Sequence, residues 1–279
     1  MRRLYFLLFS FVIGGVSGQT TQPPLVSPDT LTALPLEVGA SRVSAFEPGE
    51  RLAYRIRFGP IVAATAEVNV FDSGLWRGRP TWEIRAEGAT RPGFDWFFKV
   101  RDVYRSYYDP ALLAPVRFVR DVHEGGYEIH QDYRFDWERS CVETEWHRKR
   151  GRREAFAVTP GTQDMVSAFF TARNWDLDGI ALGDTLEVPC LVDGELFPLM
   201  IRYGGREVVE VEQGTWTCDA FHPVIMAGRV WENPDDLTVY VSADANRIPV
   251  LVHTRVLIGS VELELTEAYG VRNPPARQF

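Results

Sequence analysis

Residues Tyr127 to Trp137 constrain what this chain can fold into more tightly than any other stretch. Tyr127, Ile129, Tyr133, Phe135 and Trp137 occupy one parity, while Glu128, His130, Asp132, Arg134 and Asp136 occupy the other. A period of two belongs to an extended strand with one face buried and one face wet. The same alternation recurs from about residue 51 to about residue 268. It predicts an all-β fold with one helix, built as a large curved antiparallel sheet or an incomplete β-barrel.

The two ends of the chain depart from this pattern. Arg2 and Arg3 form a basic head, Leu4 to Val16 is apolar or small, and Val16-Ser17-Gly18 offers small residues at a cleavage site. Residues 1–18 therefore read as a signal peptide cut before Gln19, too short in its apolar run to span a membrane as a helix. No cysteine lies near the cut to carry a lipid anchor. Residues 19–44 hold Pro23, Pro24, Pro28 and Pro35 and read as a tether. One β-rich domain is expected over 45–270, and the tail 271–279 reads as non-strand.

The formal charge is −8, and losing Arg2 and Arg3 makes it about −10. An acidic surface repels nucleic acid and anionic headgroups, so neither is an expected partner. Three cysteines cannot all pair within one chain. Cys190 and Cys218 fall on apolar parities, where a thiol behaves as a small hydrophobe.

Several turns are legible. Gly125-Gly126, Asp193-Gly194, Gln213-Gly214 and Gly259-Ser260 each separate two alternating runs, and Asp-Gly suits a type I′ turn. Arg202-Tyr203-Gly204-Gly205-Arg206 also reads as a turn. A helix is expected over Thr162–Arg173, where Met165, Ala168, Phe169 and Ala172 follow helical spacing. It reads as a plug or cap lying on the sheet.

Counting residues back from these turns suggests a polar row on the inward face. A five-residue loop, Asp109 to Leu113, sets Tyr108 opposite Ala114 and therefore Asp102 opposite Arg120. The Gly125-Gly126 turn sets Arg120 opposite Gln131, and a turn through Cys141 carries the row to Arg148. Buried charges need partners, and opposed side chains lie within bonding reach. Such a row can be an internal ion pair that fixes register, a polar floor where Arg120 grips a ligand headgroup, or the seat of a catalytic Asp102. Aromatics from Phe94 to Tyr108, Phe98 and Tyr104 among them, can fill the core or line an apolar pocket. Phe98, Asp102, Tyr104, Arg120, Gln131 and Arg148 are the candidate ligand-binding residues.

No motif declares a reaction. His123, His130, His147, His222 and His253 lack metal-ligand spacing, no Gly-x-Ser-x-Gly elbow occurs, and no glycine loop cradles phosphate. Asp244-Ala245-Asn246 reads as a hairpin turn, not a calcium loop. No cofactor or metal is implied. Charges such as Asp102 and Arg120 on the inward parity also count against a transmembrane barrel.

Three stretches carry a resemblance. They are Phe46-Glu47-Pro48-Gly49-Glu50-Arg51-Leu52-Ala53-Tyr54 running on to Phe58-Gly59; Phe97 to Tyr104 followed by Glu124-Gly125-Gly126-Tyr127; and Ser242 to Val250 with Gly259-Ser260 behind it. In order and spacing the chain resembles a bacterial exported family, the domain of unknown function 3108 family, over about residues 45–270. The resemblance implies an envelope location and a β-rich fold akin to the curved sheets of lipoprotein carriers. It carries no established activity, and no catalytic residue transfers.

Three functions remain open. The leading expectation is a non-catalytic binder of an apolar or amphipathic small molecule, or of a partner protein, in a concave sheet. The alternatives are an envelope glycan hydrolase using inward carboxylates such as Asp102 and Glu124, and a structural adaptor. N-terminal sequencing of protein taken from its native envelope should read from Gln19; an intact Met1 on cytoplasmic protein would refute export.

Overall fold

The computed structural model describes residues 44–146, 152–224, 236–255, 259–275 and 277–278. Residues 1–18, expected as a signal peptide, nearly all of 19–44, expected as a tether, and Arg148 lie outside the described residues. Fifteen strands and one helix make up the rest. The strands are β1 (Arg51–Phe58), β2 (Ile61–Trp76), β3 (Arg79–Thr90), β4 (Arg101–Asp109), β5 (Ala114–Glu124), β6 (Tyr127–Asp136), β7 (Cys141–Trp146) and β8 (Arg152–Ala157). After α1 (Ser167–Arg173) come β9 (Thr185–Val192), β10 (Glu195–Val211), β11 (Gly214–Val224), β12 (Leu237–Ser242), β13 (Pro249–Arg255), β14 (Ser260–Tyr269) and β15 (Arg277–Gln278).

All strands join one antiparallel sheet in the order β8-β7-β6-β5-β4-β3-β2-β1-β14-β13-β12-β11-β10-β9, with β15 added against β11. Two meanders, β1–β8 and β9–β14, are therefore fused by the pairing of β1 with β14 over eight residue pairs. The end strands β8 and β9 do not pair with each other, so the sheet stays open. It curls far enough for the β9–β10 turn to reach β5 and β6: Asp193 accepts from Arg120 at 2.6 Å and from Gln131 at 3.2 Å. The all-β, curved, incompletely closed architecture matches the alternation of the sequence.

Alternation also sorts the faces. Leu52, Tyr54 and Ile56 of β1, and Asp102, Tyr104, Ser106 and Tyr108 of β4, are buried on the inner side. The outer face of β4–β6 carries ion pairs instead, with Arg105 to Asp121 at 3.2 Å and Arg117 bidentate to Asp132 at 3.0 Å. A pair as accessible as Arg105–Asp121 stabilises little by itself, whereas the Asp132 carboxylate is buried beneath its arginines. Among the described residues, no helix is long and apolar enough to cross a membrane.

The expected turns at Gly125-Gly126 and Asp193-Gly194 sit between the paired ends of consecutive strands, while the one expected at Gln213-Gly214 falls a residue earlier, at Glu212-Gln213, because Gly214 pairs with Val211. Asp193 and Gly194 take φ of 53° and 80°, the left-handed pair that a type I′ turn requires. The stretch Arg202–Arg206 is a correction: it does not turn. β10 runs through it, and the register shifts between Tyr203 and Gly205 as at a β-bulge. A Cβ at Gly204 would meet the His222 ring at 2.4 Å and Gly205 takes a φ of 98°, so one glycine serves close packing and the other the bulge where a reversal was expected. The tail also differs, since Arg277 and Gln278 pair with Trp216 and Thr215. Cys141, Cys190 and Cys218 are free, buried thiols.

The helix is shorter than its apolar spacing suggests, because Asp164 starts it late. Asp164 Oδ1 accepts from the backbone N–H groups of Val166 and Ser167, both at 2.8 Å, and Ser167 Oγ accepts from the Asp164 N–H at 2.9 Å. That reciprocal capping occupies the first turn. Before it the chain turns at Pro160-Gly161, and Gln163 bridges Cys190 of the edge strand β9. Asp164 Oδ2 accepts from Ser106 on β4 at 2.6 Å, which ties the cap to the sheet.

Arg173 anchors the other end. Its guanidinium grips Glu50 through two bonds of 2.6 and 2.7 Å, with both side chains buried. Its Nε donates to the Asn246 carbonyl at 2.8 Å, and its plane lies 5.2 and 5.0 Å from the Phe46 and Phe170 rings. Removing one member of such a pair strands a charge in a low-dielectric interior. Arg173→Met or Glu50→Leu alone should each lower stability by roughly 3–5 kcal/mol in urea unfolding. The double variant should recover much of the loss, and simple additivity would show the two are not coupled.

Candidate functional site

The row of residues crossing β1 to β4 determines where the interior is hollow. Tyr54 pairs with Ala66, Ala66 with Gly88, and Gly88 with Asp102. Two large side chains thus flank two small ones, and sheet curvature cannot close the gap that Ala66 and Gly88 leave. The next row runs Leu52, Val68, Ala86, Tyr104 and supplies one wall. Val239, Val252 and Leu263 of the second meander face it, and Phe169, Phe170 and Arg173 of α1 cover it. The cavity is about 80 Å³ and almost wholly apolar. A second cavity of about 60 Å³, lined by Ala172, Trp175, Ile201, Phe221 and Val241, lies past Phe169; the two share Phe169, Arg173, Val239 and Pro249 as a partition. On the other side of the Tyr54–Asp102 row, an open cleft of about 340 Å³ is lined by Ala53, Thr65, Glu67, Ala89, Arg101 and Val103. A single void of a few hundred Å³ inside the sheet is not what forms; the interior space is divided.

The candidate residues separate into three groups. Tyr104 and Asp102 line the cavity. Arg120 and Gln131 do face each other, as expected, but Asp193 accepts from both of them, and Arg120 Nε stays buried without a partner. Phe98 precedes β4, where a strand was expected, and its ring covers the β5–β6 turn: a Cβ at Gly125 would lie 2.4 Å from Phe98 Cε2. Of its neighbours, Trp96 is 85% exposed and Phe97 69% exposed, so neither fills the core.

Asp102 does not oppose Arg120. Tyr104 does, so the counted register was two residues out. Asp109 belongs to β4 and pairs with Ala114, because its carboxylate accepts from the Ala111 and Leu112 N–H groups and shortens the loop. A bulge between Tyr107 and Tyr108 adds the second step. Both shifts together preserve the face, which is why Asp102 still points inward. The row continues from Gln131 to Trp146, since the turn before β7 ends at Ser140 and leaves Cys141 in the strand.

Asp102 has a different partner. A bridge between Val100 and Glu124 brings Glu124 diagonally beside it on the same face. Both carboxyls are more than nine-tenths buried. Asp102 Oδ1 accepts from the His123 N–H at 2.9 Å, whereas Asp102 Oδ2 and Glu124 Oε1 have no partner among the protein's donors. One proton held between the two carboxyls satisfies both. Burial raises each: Asp102 to about 6, and Glu124, which also feels the Asp102 charge, to about 8. Near neutral pH Glu124 therefore keeps its proton and donates it to an ionised Asp102.

No sequence pattern marks Glu50, Ala66, Gly88, Phe169, Arg173 or Asp193 as a site residue. Arg173 left one trace, four residues beyond Phe169 on the apolar helix face. Ala66 and Gly88 left only their size.

The raised carboxyls make stability fall with rising pH. A group that binds its proton more tightly when folded stabilises fully below its unfolded range, near 4.5 for Glu124, and loses that contribution as pH rises through about 8. Asp164, raised by burial to about 6, acts in the same direction. Glu124→Gln should remove the decline between about pH 6 and 8, on the order of 2 kcal/mol in urea midpoints taken across that range. An unchanged pH profile would show that Glu124 is not protonated in the fold.

Known proteins agree with this architecture. One solved structure, a β-barrel-like protein of the domain of unknown function DUF1849 from Brucella abortus, superposes with a TM-score of 0.51 at 10% identity, over 82% of this chain and 99% of that one. That likeness concerns the fold alone. A "putative lipoprotein" from Parabacteroides distasonis aligns over 82% of this chain and 99% of its own at 8% identity, but its TM-score of 0.30 supports no inference. No curated protein matches. The family model described as a protein of unknown function, DUF3108, matches residues 53–266, and the chain belongs to that family.

Proposed function

We propose that this chain is an exported, non-catalytic envelope protein that binds an apolar or amphipathic small molecule on the concave side of its sheet. The observation that carries this reading is the Tyr54–Ala66–Gly88–Asp102 row, which leaves an apolar hollow under α1 where a well-packed core would be filled. Pockets that take small molecules are mainly apolar with a few polar groups that orient the ligand, and Asp102 is such a group here. Export rests on the basic head, the short apolar run and Val16-Ser17-Gly18.

The glycan-hydrolase alternative gains little from Asp102 and Glu124. A glycosidase holds its carboxyls apart across an open groove, while these two are neighbours in the interior sharing a proton. One observation favours the adaptor reading: Trp96 and Phe97, with ring centroids 5.9 Å apart, stand exposed on the loop before β4.

Filling and enlarging the cavity test the proposal. An apolar fluorescent probe should bind the native protein. Ala66→Leu, which fills the gap in the row, should weaken it about ten-fold or more, in line with the apolar area lost. Phe169→Ala removes the partition and should strengthen binding of longer probes. Far-ultraviolet circular dichroism should show the sheet intact in both. Absence of probe binding, or indifference to Ala66→Leu, would remove the ligand-cavity reading.

A further inference from the structure

The charges around the cavity are balanced everywhere except at Asp102. Arg173, which covers it, is held by both Glu50 oxygens. Arg120, the other buried arginine near this end, donates to Asp193 at 2.6 Å. Tyr54 and Tyr104 are buried phenols, and burial pushes the Tyr54 hydroxyl above its usual range, so it stays neutral. Asp102 is the buried carboxylate on the cavity lining and has no bonded cation; Glu87, also on the lining, is exposed to water. Its Oδ1 takes one backbone N–H, and its Oδ2 has no donor among the protein's own groups beyond a proton on Glu124. Each carboxylate oxygen accepts up to two hydrogen bonds, so acceptor capacity remains even with that proton in place.

We infer that the Asp102 end of the cavity receives the positively charged, hydrogen-bond-donating headgroup of a short-chain cationic amphiphile, an alkylammonium in its simplest form. The inference rests on the ligand-cavity reading above and names its ligand class. An N–H⁺ donor placed against Asp102 fills the open acceptor sites and compensates the one unpaired charge, and charge-assisted bonds of this kind are the strong ones in a dry site. A carboxylate or phosphate headgroup would set a second negative charge beside Asp102 where the dielectric is low. Arg173 is committed to Glu50, and Arg120, bonded to Asp193, does not line the cavity. The anionic headgroup that Arg120 was expected to grip is therefore disfavoured by the same geometry that places Asp193 on Arg120.

The carboxyl lies on the lining of both the apolar cavity and the cleft. The paired β2 and β3 backbones at Ala66 and Gly88 stand between the two voids. An amphiphile therefore lies with its chain under α1 and its ammonium at the Asp102 end of the cavity.

Displacement of the bound apolar probe by octylamine, octanol and octanoate near neutral pH tests this. Octylamine should compete at least about ten-fold better than octanoate, with octanol between them. The order should persist in about 0.5 M NaCl, which screens attraction to the acidic outer surface but not to a buried carboxylate. Asp102→Asn should bring the three compounds within about two-fold of each other. Glu124→Gln, which retains a donor to Asp102 and leaves its charge, should keep the order. Octanoate matching octylamine on the wild-type protein overturns the inference while leaving the cavity reading intact, and it does so even if Asp102→Asn fails to fold. A preference that vanishes in salt, or survives Asp102→Asn in a folded protein, also overturns it. Failure of all three to displace a probe that Ala66→Leu does exclude overturns it too, whereas failure of the probe itself to bind removes the underlying reading.

Discussion

The contact between Arg173 and Glu50 holds this molecule's interior in place. A wide sheet that curls without closing needs something on its concave side, and the only helix among the described residues has just two turns. So short a helix has little intrinsic stability in water and depends on tertiary contacts. Arg173 provides them at its C-terminal end, reaching Glu50 at the entry to β1, the Asn246 carbonyl before β13 and the rings of Phe46 and Phe170. Asp164 does the same at the other end through Ser106. With both ends fixed, Phe169 and Phe170 are set against the sheet at a height that the small residues Ala66 and Gly88 do not fill.

The pairing of β1 with β14 has the corresponding role for the sheet. It fuses two meanders that are each built from local hairpins, and it brings Val239, Val252 and Leu263 opposite Leu52, Tyr54 and Ile56. Contacts separated by more than two hundred residues are slow to form and depend on the meanders being in register first. The same curl carries the β9–β10 turn across to β5 and β6, where Asp193 neutralises Arg120. The buried arginine is thereby part of the scaffold, and Asp102 is the buried charge that borders the cavity.

How much of this was legible in the residues differs by level. The alternation in Tyr127–Trp137, the turns at Gly125-Gly126 and Asp193-Gly194, and the inward parity of Asp102, Tyr104, Arg120 and Gln131 could all be read directly. Each depends on two to ten neighbouring residues and on backbone geometry that repeats. Register proved less secure. One carboxylate, Asp109, folding back on its own loop and one bulge at Tyr107–Tyr108 moved Asp102 away from Arg120 by two places, and the error left no trace in the parity. The helix began late because Asp164 had a local capping partner in Ser167, a signal present in the sequence but outweighed there by apolar spacing.

The chain by itself determined that a sheet would form, which face of each strand would be buried, and where most of the reversals would fall. Only the tertiary structure decided that Arg173 would meet Glu50 across 123 residues and Arg120 would meet Asp193 across 73. It also decided that Ala66 and Gly88 would stand side by side between Tyr54 and Asp102. Strand periodicity and turn chemistry are properties of adjacent residues. A cavity or a buried ion pair depends on which distant strands become neighbours, and in what register, once the sheet has curled.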